Sequence, residues 1–264
     1  MAGGRGLAGR RTARKPRADS PAATGREAED RSSRSHMKRH TLLIDADDTL
    51  WENNVFFEKL IEDFISLVEP AGYAREYVRR ILNETERRNI RQYGYGVRSF
   101  GRSLEETYLK LAGSMARREI LAQIHDRLVE LERTPPKILD GVPETLAYLT
   151  ERHRLILFTK GEAAEQAAKV ERSGLQGFFE AIEIVLEKDA ATYGTLVNKH
   201  KVVKSQGWMV GNSPRSDINP AMKMGLNAIY IPHQSTWELE QEAVISGSGK
   251  LVILPRFRDL RAHF

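Results

Sequence analysis

The chain has 264 residues, of which 41% are apolar and 29% charged, and 41 Lys and Arg against 36 Asp and Glu give a formal net charge of +5. This composition excludes collagen, a disulfide scaffold and a wholly disordered chain. No apolar run approaches the roughly 20 residues that cross a bilayer, so no membrane partner is expected. The absence of Cys excludes thiolate chemistry and is typical of a reducing compartment, so a cytoplasmic location is expected.

The first residues differ in composition from the rest of the chain. Residues 1–40 contain 11 Lys and Arg against 4 Asp and Glu, and between Ala2 and His36 the large aliphatic content is Leu7 alone. This segment has too little apolar surface to offset the conformational entropy that it would lose on folding. Residues 1–37 are therefore predicted to be a disordered basic extension. It could be an arm for nucleic acid or an anionic surface, a targeting peptide, or a functionless stretch left by recombinant expression or lying upstream of a start at Met37.

The segment that follows the extension predicts one strand and then several helices. Residues 41–44 form a short apolar run typical of a buried parallel strand. Phe56, Leu60, Phe64 and Val68 then recur at helical spacing, and further helical patterns continue up to Pro135. We therefore expect residues 51–135 to form a helical domain inserted into a core made of residues 38–50 and 136–264.

After Pro135 the chain alternates between strand and helix patterns. Strands are predicted at residues 154–159, 182–186, 208–210, 227–231 and 250–254, and one of the intervening helices runs from about Glu162 to Gly174. This alternation predicts an α/β fold with a parallel sheet covered by helices on both faces. Such sheets place their chemistry at the carboxyl ends of the strands.

Polar residues stand at four of these strand ends. The first strand is followed by three carboxylates within residues 45–48, which repel one another unless a cation compensates. Thr159 and Lys160 end the second strand just before a helix, where a hydroxyl and amide donors favour phosphate. Lys188 follows the third strand, and a turn containing Asp217 follows the fourth. The set indicates a site for a metal ion and a phosphate group.

This ordered set resembles the haloacid dehalogenase superfamily of phosphohydrolases over about residues 40–232. The family's Asp-x-Asp-x-Thr motif is matched by residues 45–49, its second motif by Thr159, its third by Lys188 and its acidic fourth motif by residues 211–217. The resemblance implies a Rossmann-like parallel sheet. It also implies that the helical segment at residues 51–135 is a cap, since members with a large helical insertion between the first two motifs use it in this way.

The resemblance further implies a magnesium-dependent phosphomonoesterase. Asp45 would be the nucleophile that forms an aspartyl-phosphate, and Asp47 would exchange protons with the leaving group and with water. Thr159 and Lys188 would hold the phosphoryl oxygens. Four residues would ligate Mg²⁺, with Asp47 using its backbone carbonyl: Asp45, Asp47, Asn212 and Asp217.

Substrate recognition is expected to involve residues beyond the phosphate site. Lys160 at the second strand end is one candidate, together with Thr159 and Lys188. Arg98 is another, because it lies in the glycine-rich, aromatic segment at residues 91–98 that could be a specificity loop or an ordinary helix connection. The expected partner is a small phosphorylated metabolite, and sugar phosphates, phosphoglycolate and nucleotides remain open. The oligomeric state is not readable from the sequence.

Two departures from the pattern leave alternatives open. Asn212 stands where the family commonly has Asp, which gives either an active enzyme with altered metal binding or a non-catalytic relative that binds phosphate ligands or nucleic acid. Lys199 and Lys204 lie in the same interval as Lys188 but are expected to face solvent. Literal dehalogenation is disfavoured, because Asp47 supplies a proton that a phosphate ester leaving group needs and a halide does not.

Overall fold

The computed structural model describes residues 39–264 and contains a six-stranded parallel sheet. The predicted disorder of residues 1–37 lies outside the described residues. Six strands form this sheet: β1 Thr41–Ile44, β4 Arg154–Lys160, β5 Ala181–Val185, β6 Gly207–Gly211, β7 Asn227–Tyr230 and β8 Leu251–Ile253. Each predicted strand is therefore present within one or two residues of its expected bounds.

The strand order places β1 at the centre of the sheet. The order is β5-β4-β1-β6-β7-β8, and Leu43 of β1 lies opposite Ile156 of β4 on one side and Met209 of β6 on the other. The chain thus builds outward from β1 in one direction and then returns to build in the other, which is the Rossmann-like order. The predicted α/β fold class is confirmed. In such a sheet, ligands bind outside the carboxyl ends of the strands at the point where the order reverses.

Side chains that alternate along the strands fill two separate cores. Leu42 and Ile44 of β1 point to one face, whereas Leu43 points to the other. The first face is covered by α5 Val142–Thr150, α6 Ala163–Ser173 and the C-terminal α9 Leu260–His263, and the second by α7 Ala190–Lys199 and α8 Asn219–Lys223. Burial on both faces explains why the strands are nearly continuous apolar runs.

Four helices follow β1 and form an apolar core of their own. They are α1 Asn54–Val68, α2 Arg75–Tyr93, α3 Val97–Ala112 and α4 Arg118–Arg133. Their core contains Phe64, Leu82, Leu104 and Ile124, all buried. None of the helices in the described part of the chain is long and apolar enough to span a membrane. The helical patterns are confirmed, whereas the division into core and cap domains stays a prediction.

The helices are joined to the core by a short two-stranded ribbon that the sequence does not predict. Strand β2, Trp51–Glu52, precedes the helices and pairs antiparallel with β3, Lys137–Ile138, which follows them. Residues 51 and 52 are thus extended rather than helical. Trp51 is buried in the core beneath the sheet, and this packing together with the cross-strand pairing determines its conformation.

His153 lies at the opposite end of the sheet and provides a pH-dependent contribution to stability. Its side chain is buried, its Nδ1 accepts the backbone N–H of His40 at 3.3 Å, and its ring lies 5.1 Å from that of Phe264. Burial lowers the pKa of His153 to about 4. As the pH falls from about 6.5 towards 4, the unfolded chain gains a proton at this residue that the folded chain does not take up.

We therefore expect the free energy of unfolding to fall over this pH range, by up to about 3 kcal/mol from this residue. In His153→Phe the decline between pH 6.5 and 4 should be smaller by that amount. Urea unfolding followed by circular dichroism at several pH values would measure it. The same substitution at the exposed His125 is the matched control. An equally steep decline in His153→Phe would contradict the assignment.

Candidate active site

Four strand ends bring polar side chains together beside β1. Asp45 directly follows β1, Thr159 lies near the end of β4, Lys188 follows β5 and Asn212 follows β6. All four are buried. The chain converges here because the carboxyl ends of parallel strands lie along one edge of the sheet.

The Lys188 ammonium joins two carboxylates at the centre of this cluster. Its Nζ donates to Asp45 Oδ1 at 2.6 Å and to Asp217 Oδ1 at 2.7 Å. Burial alone would lower the pKa of Lys188, but attraction to Asp217 and Asp45 raises it, so the ammonium is charged. Burial and the Asp45 carboxylate raise the pKa of Asp217 to about 7 despite Lys188. One ammonium is thus shared by two acids, so near neutral pH Asp217 is partly protonated unless a further cation balances its charge.

Short hydrogen bonds fix the positions of both acids. Thr49 Oγ1 donates to Asp45 Oδ2 at 2.9 Å and lies 3.4 Å from Asn212 Oδ1. Asp217 Oδ2 accepts the backbone N–H of Ser213 at 3.0 Å. Asp217 belongs to a π-helical turn, Pro214–Ile218, that follows β6 and places its side chain against Gly211. The turn therefore aims the second carboxylate at the first.

Asp47 is held by a different set of partners from Asp45. Lys169 of α6 donates to its two carboxylate oxygens at 2.9 and 3.0 Å, Gln166 donates at 2.9 Å and the Trp51 indole donates at 2.7 Å. Burial would raise the pKa of Asp47, but Lys169 outweighs burial and holds it below its usual value. Asp47 is therefore ionised, with its side chain directed to α6.

The third carboxylate of the segment supports the backbone. Asp48 has a φ of 61° and accepts the backbone N–H of Asn53 at 2.8 Å and of Asn54 at 3.1 Å, which secures the start of α1. Burial raises its pKa to about 7. Asp48 also lies near Glu52 and His233, and one ligand atom from each of these three falls within 4.8 Å of the others.

The oxygens around Lys188 match the chemistry of a magnesium site. The carboxylates of Asp45 and Asp217 and the amide oxygen of Asn212 are hard oxygen donors of the kind that Mg²⁺ prefers. Two carboxylates that share a single ammonium leave a negative charge for a cation to balance. The Asp47 side chain is already paired with Lys169, so its backbone carbonyl is the atom that it could offer to the ion. The donor set fits the predicted ion.

Lys160 is bound to a glutamate that the sequence does not connect with it. Its Nζ donates to Glu240 at 2.5 Å and to Ser216 Oγ at 2.8 Å, and it lies 4.4 Å from the centroid of the Tyr95 ring. Burial would lower the pKa of Lys160, but Glu240 raises it. Glu240 also accepts from Ser213 Oγ at 2.6 Å. Lys160 therefore lines the site and also links Glu240 to Ser216 in its wall.

A cavity of about 140 Å³ lies between the strand ends and the helices. Of the residues predicted from the sequence, those on its wall are Asp45, Asp47, Thr159, Lys160, Lys188, Asn212 and Asp217. Arg98 is not part of this wall. It lies on the first turn of α3, where Val97, Ser99 and Phe100 face inward and Arg98 is exposed. The loop residues Tyr95 and Gly96 line the cavity instead.

Besides Asn54, whose side chain donates to the Ser235 carbonyl, the helical side of the cavity contains two buried polar groups. Glu86 of α2 and Ser99 of α3 are 8% and 6% exposed, and both line the cavity. Burial raises the pKa of Glu86 to about 7, with Arg79 opposing this rise and Glu58 adding to it. Among residues 39–264, the Ser99 hydroxyl is buried without a hydrogen-bond partner.

Sequence reasoning misses Lys169, Glu240 and Glu86. The spacing of Gln166 and Lys169 on α6 places them on one helix face, a weak signal that becomes useful only when the helix is known to pack beside Asp47. Glu240 and Glu86 lie far from the motifs, and their sequence context carries no signal. Lys199, one of the two alternatives to Lys188, pairs with Glu183 on the surface with 60% of its side chain exposed, and Lys204 is also exposed.

Comparison with known proteins places the chain in a family. The haloacid dehalogenase-like hydrolase profile matches residues 42–231. A haloacid dehalogenase-like family hydrolase from Xanthomonas campestris is 27% identical, with a TM-score of 0.75, and the match covers 87% of this chain and 91% of that one. No curated protein sequence matches the chain.

More distant solved structures share the fold. A HAD hydrolase from Bacillus subtilis bound to magnesium is 18% identical, with a TM-score of 0.59 over 86% of this chain and 99% of that one. The L-2-haloacid dehalogenase from Xanthobacter autotrophicus is 16% identical, with a TM-score of 0.54 over 85% and 98%. The profile spans most of the described chain and includes every strand end of the site. The chain therefore belongs to the haloacid dehalogenase-like hydrolase family.

Proposed function

We propose that this protein is a magnesium-dependent phosphomonoesterase that acts on a small phosphorylated metabolite through an aspartyl-phosphate on Asp45. The observation that carries the proposal is the buried Lys188 ammonium between Asp45 and Asp217, with the Thr159 hydroxyl on the same cavity wall. A phosphoryl group needs such a positive centre and a donor next to an ionised nucleophile.

The Asp45 carboxylate is held in a defined orientation because Thr49 donates to its Oδ2, which suits a nucleophile. In the first step an Asp45 carboxylate oxygen attacks phosphorus, the ester P–O bond breaks, and the leaving oxygen takes a proton. In the second step water attacks the same phosphorus, the bond between Asp45 and phosphorus breaks, and inorganic phosphate leaves. Lys188 and Thr159 hold the phosphoryl oxygens through both steps.

Asp47 is the group that would move these protons. In the free protein Lys169 keeps it ionised, which suits its role as the base that takes a proton from water in the second step. A phosphate dianion bound next to it opposes Lys169 and favours the protonated form. Asp47 can then deliver that proton to the leaving oxygen in the first step.

Asp45, Asp217, Asn212 and the Asp47 carbonyl would hold the magnesium ion. When bound, the ion neutralises phosphate charge so that an anionic nucleophile can approach. Asn212 supplies a neutral oxygen where the family commonly has a carboxylate. We therefore expect activity at higher Mg²⁺ concentrations than a fully carboxylate site would need.

Hydrolysis of 2-haloacids is the competing activity, because the fold is shared with dehalogenases. Attack by an aspartate on carbon releases halide and needs no acid. Asp47 accepts four hydrogen bonds, from Lys169, Gln166 and Trp51, which hold its carboxylate in place. Dehalogenation would make no use of an acid positioned in this way, whereas ester hydrolysis would. We therefore favour the phosphatase.

The first test is hydrolysis of p-nitrophenyl phosphate by the full-length protein with Mg²⁺. Asp45→Asn is expected to lower kcat by about 10³-fold or more, because an amide cannot form the acyl phosphate. Chelation with EDTA should abolish the wild-type activity and added Mg²⁺ should restore it.

Release of chloride from 2-chloropropionate is measured in parallel. Chloride release without phosphate release would show the dehalogenase instead. Full phosphatase activity in Asp45→Asn would refute the nucleophile. Asp63→Asn, on the outer side of α1, is the matched control for the substitution.

A second prediction concerns Gly211 at the end of β6. A Cβ on this residue would lie 2.2 Å from Asp217 Oδ2, so Asp217 would have to leave its contacts with Lys188 and Ser213. Gly211→Ala should lower the free energy of unfolding by about 1–3 kcal/mol and strongly reduce phosphatase activity. Chemical denaturation and initial rates would measure both. Gly177→Ala is the control, because no heavy atom lies within 4 Å of the added Cβ at that position.

A further inference from the structure

We propose that the helical wall of the cavity is a subsite for an ammonium group, so that the substrate is the phosphate monoester of a short amino alcohol. This inference rests on the proposed function for the phosphate end of the ligand. It adds a partner for the other end, which the strand-end residues do not contact. The residues that carry it are Glu86, Ser99, Phe57 and Phe100.

Glu86 is a buried carboxyl that lines the cavity and lacks a protein partner. Within residues 39–264 its side chain takes part in no hydrogen bond or ion pair, although it is only 8% exposed. Ile90, one turn further along α2, lines the same cavity. An acid kept in this position costs stability unless something binds it.

The neighbouring charges are already paired with one another. Arg79 donates to both oxygens of Glu58 at 2.6 and 2.8 Å, and Arg87 pairs with Glu238 at 3.2 Å. These two pairs are electrically balanced, so the charge of an ionised Glu86 is left over. A cation brought by the ligand would balance it, whereas a second anionic group would be repelled.

The rest of this wall suits the body of a small organic cation. Phe57 of α1 and Phe100 of α3 line the cavity and pack edge to face with ring centroids 5.1 Å apart, and Ile61 and Ile90 line it as well. Aromatic rings attract ammonium groups through their negative faces, most strongly where water is excluded. The combination of an unpaired carboxyl and aromatic rings favours an ammonium over a neutral alcohol.

Ser99 provides an additional hydrogen-bonding atom. Its hydroxyl is buried without a partner among the described residues, and the residue lines the cavity beside Phe100. An ammonium carries three N–H donors. Glu86 can accept at least one of them, and rotation of the Ser99 side chain towards the cavity would let its enclosed hydroxyl accept another. The cavity of about 140 Å³ limits the ligand to a short chain between the phosphate and the nitrogen.

The test compares 2-aminoethyl phosphate with n-propyl phosphate, which replaces the ammonium by a methyl group of similar size. The wild-type protein with Mg²⁺ is expected to prefer the ammonium ester by roughly tenfold in kcat/KM. In Glu86→Gln this preference should fall by about tenfold. Glu84→Gln removes the same charge from the exposed face of α2 and should keep the wild-type preference.

Thermal unfolding separates a binding role from a structural one. Because an unpaired buried carboxylate destabilises the fold, Glu86→Gln should raise the Tm at pH 8 while it lowers the preference for the ammonium ester. A lowered Tm together with an unchanged preference would show that Glu86 only stabilises the helices, and would overturn the subsite.

The experiments distinguish an error in the proposed ammonium subsite from an error in the proposed phosphatase function. Hydrolysis of p-nitrophenyl phosphate with equal kcat/KM for the two alkyl esters would overturn the subsite and leave the phosphatase in place. If no phosphate ester is hydrolysed, calorimetry decides the subsite alone. Tighter binding of 2-aminoethyl phosphate than of n-propyl phosphate to the wild-type protein, lost in Glu86→Gln, supports it, and equal binding overturns it.

Discussion

A single buried ammonium determines the arrangement of this site. Lys188 is enclosed together with Asp45 and Asp217, and none of these charges could stay buried without the others. Asp45 follows β1, Lys188 lies in the loop after β5 and Asp217 lies in the turn after β6, so the three residues are far apart in sequence. The parallel sheet brings the three residues together, because β1 is central and the strands on both sides of it end at the same edge of the sheet.

The two halves of the cavity have different chemistry. On the side of the sheet, acids, an ammonium and a hydroxyl form a compact polar group that suits a phosphate and a hard cation. On the helical side, Phe57 and Phe100 line the cavity together with Glu86, which takes part in no hydrogen bond or ion pair among residues 39–264, and Ser99, whose hydroxyl has no partner there. The first half suits chemistry common to many substrates and the second suits recognition of one.

The sequence predicted the site residues that stand at strand ends. The strand patterns place Asp45, Thr159 and Lys188 at strand ends, which must converge in a parallel sheet, whereas the roles expected for them come from the family resemblance. Contacts set by helix packing could not be predicted, such as that of Lys169 with Asp47. The sequence predicts that residues 91–98 form a specificity loop or a helix connection, but α3 begins at Val97, and helical periodicity leaves Arg98 exposed rather than on the cavity wall. The fold was therefore more predictable than the rotation of its helices.

The ribbon formed by β2 and β3 has a mechanical consequence. The chain enters and leaves the four helices through two adjacent segments that are hydrogen-bonded to each other. Movement of the helices relative to the sheet would bend the chain at this ribbon. It would also have to break the bonds that join the helical segment to the core, such as those from the Val97 N–H to Glu165 at 2.8 Å and from the Tyr95 hydroxyl to Glu187 at 2.7 Å. The position of Glu86 relative to the strand ends therefore depends on these side-chain contacts as well as on the ribbon.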